Sequence, residues 1–376
     1  PPSWVPRVLA PCARYRRTTL RTPVAATLFV EAGAGTGKPP GLVARVIPTA
    51  ATGHLAAMSE LAAITFTENA AAELRNRSRE GLQPDAKGRY AGFEYDAAAQ
   101  VRLAAGLETL DDAVLTTLHG FASRILSEAS LEAGLPPGFS VADTGAGTED
   151  AERSWSDFVD RLLDDEAIRE HLLCGLTLGL KLGDLNAVAA GLGASWDRLR
   201  TRPLAVVKLP PLSAHDVLTH LTEAFAGEGS WPAGDALRDH LDTTIRNLIA
   251  ELTSPGHPLD LLETLATADI KCSGGRAPDW KAAGLDKAQV VQALKDADEA
   301  RNNIVQGVGA AVTETLAARV QDWLLDESER RRDSGALGYH DLLVLALYVL
   351  TEDPEVRQGL HDHWPTLVIG EFQDTD

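Results

Sequence analysis

The sequence predicts an α/β fold in which a parallel sheet is interrupted by a large, mainly helical insertion. In the first third of the chain, and again after Gly335, short apolar runs alternate with helix-forming segments, a pattern typical of β-α-β units. From 149 to 332 the apolar residues instead recur with helical spacing, and turns rich in proline and glycine separate the segments. We therefore assign 1–130 and 335–376 to the α/β domain and 131–334 to the insertion.

Each strand of the predicted sheet is a short apolar run bounded by turn or helix signals. The predicted strands are 27–32, which ends in a glycine-rich turn, 61–67, 113–119 and, near the end of the chain, 366–369. Helix-forming segments at 68–79 and 121–129 follow the second and third strands, and a helix over 339–350 precedes the last. Strands separated by helices in this way pair in parallel, with helices on both faces of the sheet.

Length and composition exclude several classes of protein. A chain of 376 residues with 44% hydrophobic and 24% charged residues fits two or three soluble globular domains. The longest apolar run, 342–350, is far shorter than the about 20 residues of a membrane span, so we expect no membrane segment. No leader pattern opens the chain, and Pro1 with a single methionine, Met58, indicates a fragment whose natural start is missing. Three scattered cysteines favour a reducing, cytoplasmic location.

The charge of the chain is strongly acidic and uneven. There are 35 basic and 54 acidic residues, for a net charge of −19, which argues against a surface coated for nucleic-acid binding. Five arginines and no acid precede Glu31, whereas 143–170 holds ten acids and three arginines. An anionic partner would therefore have to be bound by local sites, because the field of the whole molecule repels it.

A candidate phosphate-binding loop lies between the first strand and the next helix. The loop consists of Ala32, Gly33, Ala34, Gly35, Thr36, Gly37 and Lys38. Its glycines allow consecutive backbone N–H groups to turn toward an anion, the helix N-terminus adds a positive dipole end, and Lys38 supplies a cation for the outer phosphates. The alternative is a glycine-rich turn that occurs by chance, which the strand-loop-helix context makes less favourable. We therefore predict a nucleotide site here.

The residue after Lys38 departs from the phosphate-loop pattern. That pattern has Ser or Thr, whose hydroxyl binds Mg²⁺, and this chain has Pro39 followed by Pro40. Proline has neither a hydroxyl nor a backbone N–H, although it fits the first turn of a helix. We expect the fold to be kept, ATP to bind weakly and Mg-ATP chemistry to be impaired.

Four segments in a fixed order carry a resemblance to a known family. They are 30–38 (VEAGAGTGK), 64–75 (ITFTENAAAELR), 117–121 (TLHGF) and 371–376 (EFQDTD). Together they resemble the superfamily 1 DNA helicases of the UvrD/Rep kind, nearest to the RecB/AddA branch. The resemblance implies a P-loop NTPase (RecA-like) motor domain, 1A, for the α/β part and a helical subdomain, 1B, for the insertion. It also implies that the second motor domain is absent from this chain.

The resemblance assigns a group of residues to a track for single-stranded DNA. They are Thr65, Phe66, Thr67, His119 and Phe121. An aromatic ring at a strand end can stack on a base, and hydroxyls can bind phosphates. The alternatives are core packing for the two phenylalanines and a structural role for the histidine. The family usually has a basic residue where this chain has Asn69.

At the end of the chain the resemblance assigns Glu371 as the general base and Gln373 as the sensor of the γ-phosphate. The family has a Mg²⁺-binding Asp before the glutamate, and this chain has Gly370. With Pro39, both usual protein ligands of the metal are lost, so no metal-binding residue is predicted. The alternative for this acidic cluster is a solvated terminus.

The resemblance implies an ATP-dependent DNA helicase of 3′-to-5′ polarity that unwinds DNA in recombination and repair. Its cofactors would be ATP and, for the family, Mg²⁺; its partners would be single-stranded and duplex DNA and a partner subunit of a helicase–nuclease complex. We expect this chain by itself to be inactive. Two alternatives stay open: a non-catalytic DNA-binding or scaffold subunit with a degenerate nucleotide site, and a P-loop ATPase unrelated to DNA. A pseudogene or sequence error would equally account for Pro39 and Gly370.

Overall fold

The computed structural model describes residues 7–8, 28–29, 38–85, 88–90, 93–141 and 146–370. The chain forms two compact units, one of Pro1–Val141 with Arg331–Asp376 and one of Ala142–Arg330. The first unit is mixed α/β and the second is helical. Residues 131–141, which the sequence assigned to the insertion, belong to the first unit.

The strands of the first unit form one three-stranded sheet and several short pairs. They are β1 (Arg7–Val8), β2 (Leu28–Phe29), β3 (Leu61–Thr65), β4 (Arg89–Tyr90), β5 (Phe93–Glu94), β6 (Val114–Thr117), β7 (Ser140–Val141), β8 (Ala336–Leu337) and β9 (Thr366–Ile369). The order in the main sheet is β6-β3-β9, and both pairings are parallel. β1 pairs with β2 and β7 with β8 in parallel, and β4 pairs with β5 antiparallel.

The described sheet is smaller than the sequence predicted. The predicted strands 61–67 and 113–119 end at Thr65 and Thr117, because the chain then turns into a helix capped by Thr67 in one case and by Thr117 in the other. Among the described residues, the strand before the glycine-rich loop pairs with β1 and takes no place in the three-stranded sheet. The last predicted strand matches β9.

Helices cover both faces of the three-stranded sheet. Those of the first unit are α1 (Lys38–Thr52), α2 (Glu68–Gly81), α3 (Ala97–Glu108), α4 (Leu118–Glu128), α15 (Tyr339–Glu352) and α16 (Pro354–His363). Successive side chains of β3 point to opposite faces, so Leu61 and Ala63 pack in the core with α1, α2 and α3, whereas Ala62 packs in the core with α4 and α15. This arrangement places the ends of β3, β6 and β9 at one edge.

The second unit is built from helices, and its described residues, 146–330, contain no strand. Its helices are α5 (Ala146–Asp164), α6 (Arg169–Thr177), α7 (Leu182–Gly193), α8 (Trp196–Leu199), α9 (His215–Ala224), α10 (Ala236–His240), α11 (Arg246–Thr253), α12 (Pro258–Thr267), α13 (Ala277–Ala282) and α14 (Lys287–Ser334), whose last residues belong to the first unit. A large core surrounds Trp280, which is fully buried.

A buried ion pair fixes the start of α15 in the first unit. Asp341 is 3% exposed and accepts two hydrogen bonds from the Arg331 guanidinium, at 2.7 and 2.9 Å. The same carboxylate accepts from the backbone N–H of Gly338 at 2.8 Å and so caps the helix. The predicted helix 339–350 therefore begins at the expected residue.

Within the described residues no single helix is long and apolar enough to cross a membrane. One bent pair, Glu166–Thr177 with Leu182–Gly193 at 112°, meets those criteria only together.

Candidate nucleotide and nucleic-acid site

The candidate site lies where β3 and β6 end. Thr65 and Thr117 are paired in register, so the residues that follow them emerge at the same edge of the sheet. Thr67 caps α2 by accepting from the N–H of Ala70, and Thr117 caps α4 by accepting from the N–H of Gly120, each at 3.2 Å. Two helix N-termini, with their positive dipole ends, therefore face this edge.

Gly120 allows α4 to begin directly at the end of β6. A β-carbon at this position would overlap the hydroxyl of Thr116 and approach the hydroxyl of Thr117 to 3.4 Å. A larger residue would push the first turn of α4 away from the strand, and His119 would move with it. The close packing of the first turn of α4 against the end of β6 thus explains the glycine in the 117–121 segment.

Among the predicted DNA-binding residues, Phe66 has the most exposed ring, and the ring of His119 is half-buried. Phe66 directly follows β3 and is 52% exposed, an unusual fraction for a phenylalanine. His119 lies in the first turn of α4 and is half-buried. An exposed ring at the end of a strand has little packing to gain, and its face is free to stack on a flat ligand.

Tyr339 extends this edge and was missed by the sequence reasoning. It is the first residue of α15 and is 59% exposed. Its ring meets the His119 ring edge-on, with the centroids 5.3 Å apart. We call Phe66, His119 and Tyr339 the edge rings. The available signal was an aromatic residue between the capping pair Gly338 and Asp341, but only the tertiary contact with His119 assigns it to this edge.

The other predicted DNA-binding residues have internal partners. Phe121 is half-buried and packs against Trp364, with ring centroids 5.1 Å apart. Thr65 is buried and its hydroxyl donates to the carbonyl of Thr67 at 3.2 Å. Thr67 is exposed, but its hydroxyl caps α2. These contacts favour structural roles for the three side chains.

The edge also carries one acidic side chain. The carboxylate of Glu68, which is exposed in the first turn of α2, accepts a hydrogen bond from the Thr117 hydroxyl at 3.0 Å. This bond ties α2 to the end of β6. An anionic ligand would therefore have to avoid Glu68 and use the neighbouring helix N-termini and rings.

The nucleotide side is only partly described. Ala32 to Gly37, together with Glu371 and Gln373, lie outside the described residues; α1 begins at Lys38, whose side chain is not described. Gly370, which follows β9, lies close to the Leu42 side chain of α1. A β-carbon on Gly370 would lie 2.7 Å from Cδ1 of Leu42. Because Leu42 is one turn into α1, the end of β9 lies beside the start of that helix.

A family model described as the UvrD/REP helicase N-terminal domain matches residues 16–376. The chain belongs to this family. The match extends over both units.

Curated relatives of this UvrD/REP domain include subunits of helicase–nuclease enzymes. The exonuclease/helicase subunit RexA of Lactococcus lactis is 20% identical over 93% of this chain and 32% of its own length. An ATP-dependent helicase/nuclease subunit of Listeria monocytogenes is 24% identical over 93% of this chain and 31% of its own length. A protein of the same name from Desulforamulus reducens is 36% identical over 31% of this chain and 9% of its own length. The chain thus spans about a third of the length of the relatives that match it throughout.

The family implies ATP and usually Mg²⁺, and two positions of this UvrD/REP domain, 39 and 370, carry no side-chain oxygen. Position 370 is a buried glycine against the aliphatic Leu42, and its N–H donates to the carbonyl of Ile64 at 2.7 Å. Proline at position 39 offers no side-chain oxygen. The part of the chain that the structure describes also contains no group of three His, Cys, Asp or Glu side chains arranged to hold a metal.

Proposed function

We propose that this chain is the N-terminal part, with subdomains 1A and 1B, of an ATP-dependent DNA helicase that unwinds DNA 3′ to 5′ in recombination and repair. The observation that carries the proposal is the pair of exposed rings, Phe66 and Tyr339, at the carboxyl edge of the sheet in a chain of the UvrD/REP family. Parallel α/β folds bind their ligands at that edge. The relatives' names, which contain "subunit", support a partner subunit.

The edge rings would act as stacking platforms for unpaired bases. Every base has an aromatic face, so stacking binds DNA without reading its sequence, and each stacked base contributes about 1–3 kcal/mol. The N-termini of α2 and α4 would face the phosphates between those bases. A motor that moves along a strand needs this kind of sequence-tolerant contact.

The proposal is tested by the affinity for a fluorescently labelled oligothymidine, measured by anisotropy. Phe66→Ala and Tyr339→Ala should each weaken binding about fivefold or more, because each removes a stacking ring. The matched control is Tyr348→Ala on the same helix: Tyr348 is 53% exposed but lies nine residues further along α15. If both edge variants bind like the control, the edge is not the DNA site.

For the nucleotide site we propose that Lys38 and the glycine-rich loop hold the phosphates, with Glu371 and Gln373, which follow β9 in the sequence, as the candidate base and sensor. The contact between Leu42 and Gly370 supports a common cleft. Since positions 39 and 370 supply no oxygen for Mg²⁺, we expect weak ATP binding and negligible DNA-stimulated hydrolysis by this chain.

Restoring the lost oxygens tests this account. Pro39→Thr with Gly370→Asp should make the binding of a fluorescent ATP analogue tighter and dependent on Mg²⁺. The control Pro39→Thr with Gly370→Asn places a side chain of the same size against Leu42 without its charge. If the unchanged chain already binds ATP in a strongly Mg²⁺-dependent way and hydrolyses it on DNA, the account is wrong.

A second candidate function is a non-catalytic DNA-binding or scaffold subunit. Pro39 and Gly370 favour it, because both remove a metal ligand while leaving the fold intact. The full-length protein decides between the two: translocation on DNA driven by ATP supports the helicase, and DNA binding with no response to ATP supports the scaffold.

A further inference from the structure

A single carboxylate lies between the two helix N-termini at the carboxyl edge of the sheet. Glu68 is the first residue of α2, and its Oε1 accepts a hydrogen bond from the hydroxyl of Thr117 at 3.0 Å. The same hydroxyl accepts from the N–H of Gly120 at 3.2 Å and so caps α4. The Glu68 carboxylate therefore belongs to the first turn of one helix and reaches the cap of the other.

The charge of Glu68 partly neutralises the positive dipole ends of these helices. A carboxylate in the first turn of a helix interacts favourably with the partial charge of its N-terminus. α2 has Glu68 in its first turn, whereas the first turn of α4 contains no acid of its own. A phosphate that approached these N-termini would meet a negative charge that is already there. The chain thus supplies its own anion at a place where a phosphate would otherwise bind.

The segments around this carboxylate contain no lysine or arginine. Glu68 is the only charged residue in 61–72 and in 113–123, the segments that contain β3, β6 and the helix starts that follow them. The next basic residue of α2, Arg75, lies about 10 Å further along the helix, and its guanidinium donates to the carbonyl of Leu115 at 3.1 Å. In the part of the chain that the structure describes, Glu68 forms no ion pair. These segments therefore bring negative charge to the edge, the opposite of what binding through phosphates needs.

We propose that Glu68 is a specificity-determining residue, which makes the edge select unpaired bases over the phosphate backbone. This inference rests on the proposed function, in which Phe66 and Tyr339 stack on bases. Stacking on a ring requires no charge, so Glu68 does not oppose it. A ligand that offers only phosphates, however, meets the repulsion of Glu68 and gains nothing from the rings.

Duplex DNA is a ligand of this second kind. Its bases are stacked on one another inside the double helix, so the edge rings cannot reach their faces, and contacts to phosphate and sugar remain. Glu68 therefore favours single-stranded over duplex DNA at this edge. In a bound single strand it weakens the attraction of the two helix N-termini for the backbone, so that the bases contribute most of the affinity.

The test measures anisotropy at low salt with three labelled probes of equal length: an oligothymidine, an abasic deoxyribose-phosphate strand and a blunt-ended duplex. The variant is Glu68→Gln, whose amide oxygen can still accept from the Thr117 hydroxyl, so that only the charge is removed. The matched control is Glu80→Gln, an exposed glutamate of the same helix. Glu80 lies about 18 Å further along α2, beyond the Debye length of about 10 Å at 0.1 M salt.

We expect Glu68→Gln to bind the abasic strand and the duplex about fivefold more tightly than the unchanged chain. This factor corresponds to the removal of one unit-charge repulsion at about 4 Å in water. The affinity for oligothymidine should rise less, by about twofold, because its stacked bases supply most of the binding in both proteins. The preference for bases over backbone should therefore fall, and Glu80→Gln should behave like the unchanged chain.

Equal gains for all three probes would reduce the effect of Glu68→Gln to net charge and overturn the inference, as would affinities identical to those of Glu80→Gln. The Phe66→Ala/Tyr339→Ala variant tests the proposed function separately, because it should lose oligothymidine binding and keep its affinity for the abasic strand. If it does so while Glu68→Gln changes nothing, the proposed function stands and this inference fails. Normal oligothymidine binding by the double variant would overturn both, since the selection of bases requires the rings.

Discussion

The two units use their buried polar side chains differently. In the α/β unit Thr117 and Asp341 cap helices that begin near one edge of the sheet. In the helical unit the buried side chains of Gln321 and Thr315, in α14, hold the irregular segment 202–208 by accepting from the N–H groups of Leu204 and Val207. His240 holds the loop after α12 by accepting from the N–H of Lys271 at 3.1 Å. In the first arrangement, side chains accept hydrogen bonds from backbone N–H groups at helix N-termini. In the second, they accept hydrogen bonds from backbone N–H groups of segments without regular secondary structure.

The physical reason for this difference is the supply of backbone partners. A sheet satisfies its extended strands by pairing them, so side chains are needed only where helices start. A helical unit has no such partner for an extended segment, and a buried side chain must take its place. One consequence is that the edge of the α/β unit can present rings such as Phe66 and Tyr339 to a ligand. Four substitutions test this contrast.

The largest effect is expected at the buried ion pair of the α/β unit. Asp341→Ala removes the cap of α15 and the carboxylate that faces the mostly buried guanidinium of Arg331. We expect a loss of about 3–5 kcal/mol in the free energy of unfolding, measured by urea titration with circular dichroism. The control is Asp362→Ala on α16, an exposed aspartate, which should cost almost nothing. A cost below about 1 kcal/mol for Asp341→Ala would mean that helix ends here do not depend on this pair.

A smaller loss, about 2–3 kcal/mol, is expected for Gln321→Ala, since it leaves the N–H of Leu204 and the carbonyls of Leu199 and Arg202 without their partner. Gln292→Ala is the matched control, because Gln292 is exposed on the same helix and bonds only to Asp296. Proteolysis within 202–208 should also accelerate in Gln321→Ala. Equal stability of the two variants would show that the segment 202–208 is held by other contacts.

Gly120→Ala is expected to cost about 1–2 kcal/mol, because the new methyl group overlaps the Thr116 hydroxyl. Oligothymidine affinity should fall as well, since His119 shifts with the start of α4. Thr116→Ala makes room for that methyl group, so the double variant should be more stable than the sum of the two single changes predicts. Strict additivity would contradict the steric account.

The smallest effect is a pH dependence in the helical unit. Burial lowers the pKa of His240, Lys271 lowers it further and Asp269 partly opposes them. The folded state therefore resists protonation, and stability that is present at neutral pH should be lost as the pH falls through about 6.5, the ordinary histidine value. The fluorescence of the buried Trp280 core reports this unit during urea titration. The free energy of unfolding should depend less steeply on pH in His240→Gln than in the exposed control His215→Gln. Identical slopes in the two variants would contradict the role of His240.

The site could be predicted only in part. The local sequence was enough to predict Phe66 and His119 as site residues, because each lies in a short segment next to a strand that its apolar run identifies. The local sequence did not predict Tyr339, which is more than 200 residues from His119 and is assigned to the edge by its ring contact with that residue. Phe121 was open between DNA binding and core packing, and the ring of Trp364, itself distant in sequence, is what favours packing.

The sequence by itself determined the α/β character of the two chain ends, the helical middle, the last strand and the lack of a side-chain oxygen at positions 39 and 370, because these depend on local periodicity and residue chemistry. The family followed from short motifs for the same reason. Only the tertiary structure decided that 131–141 belongs to the α/β unit, that the chain from Arg202 to Lys208 is extended along α14, and that Leu42 lies against Gly370. Each of these depends on partners distant in sequence, and burial and hydrogen bonding choose such partners only once the chain has folded.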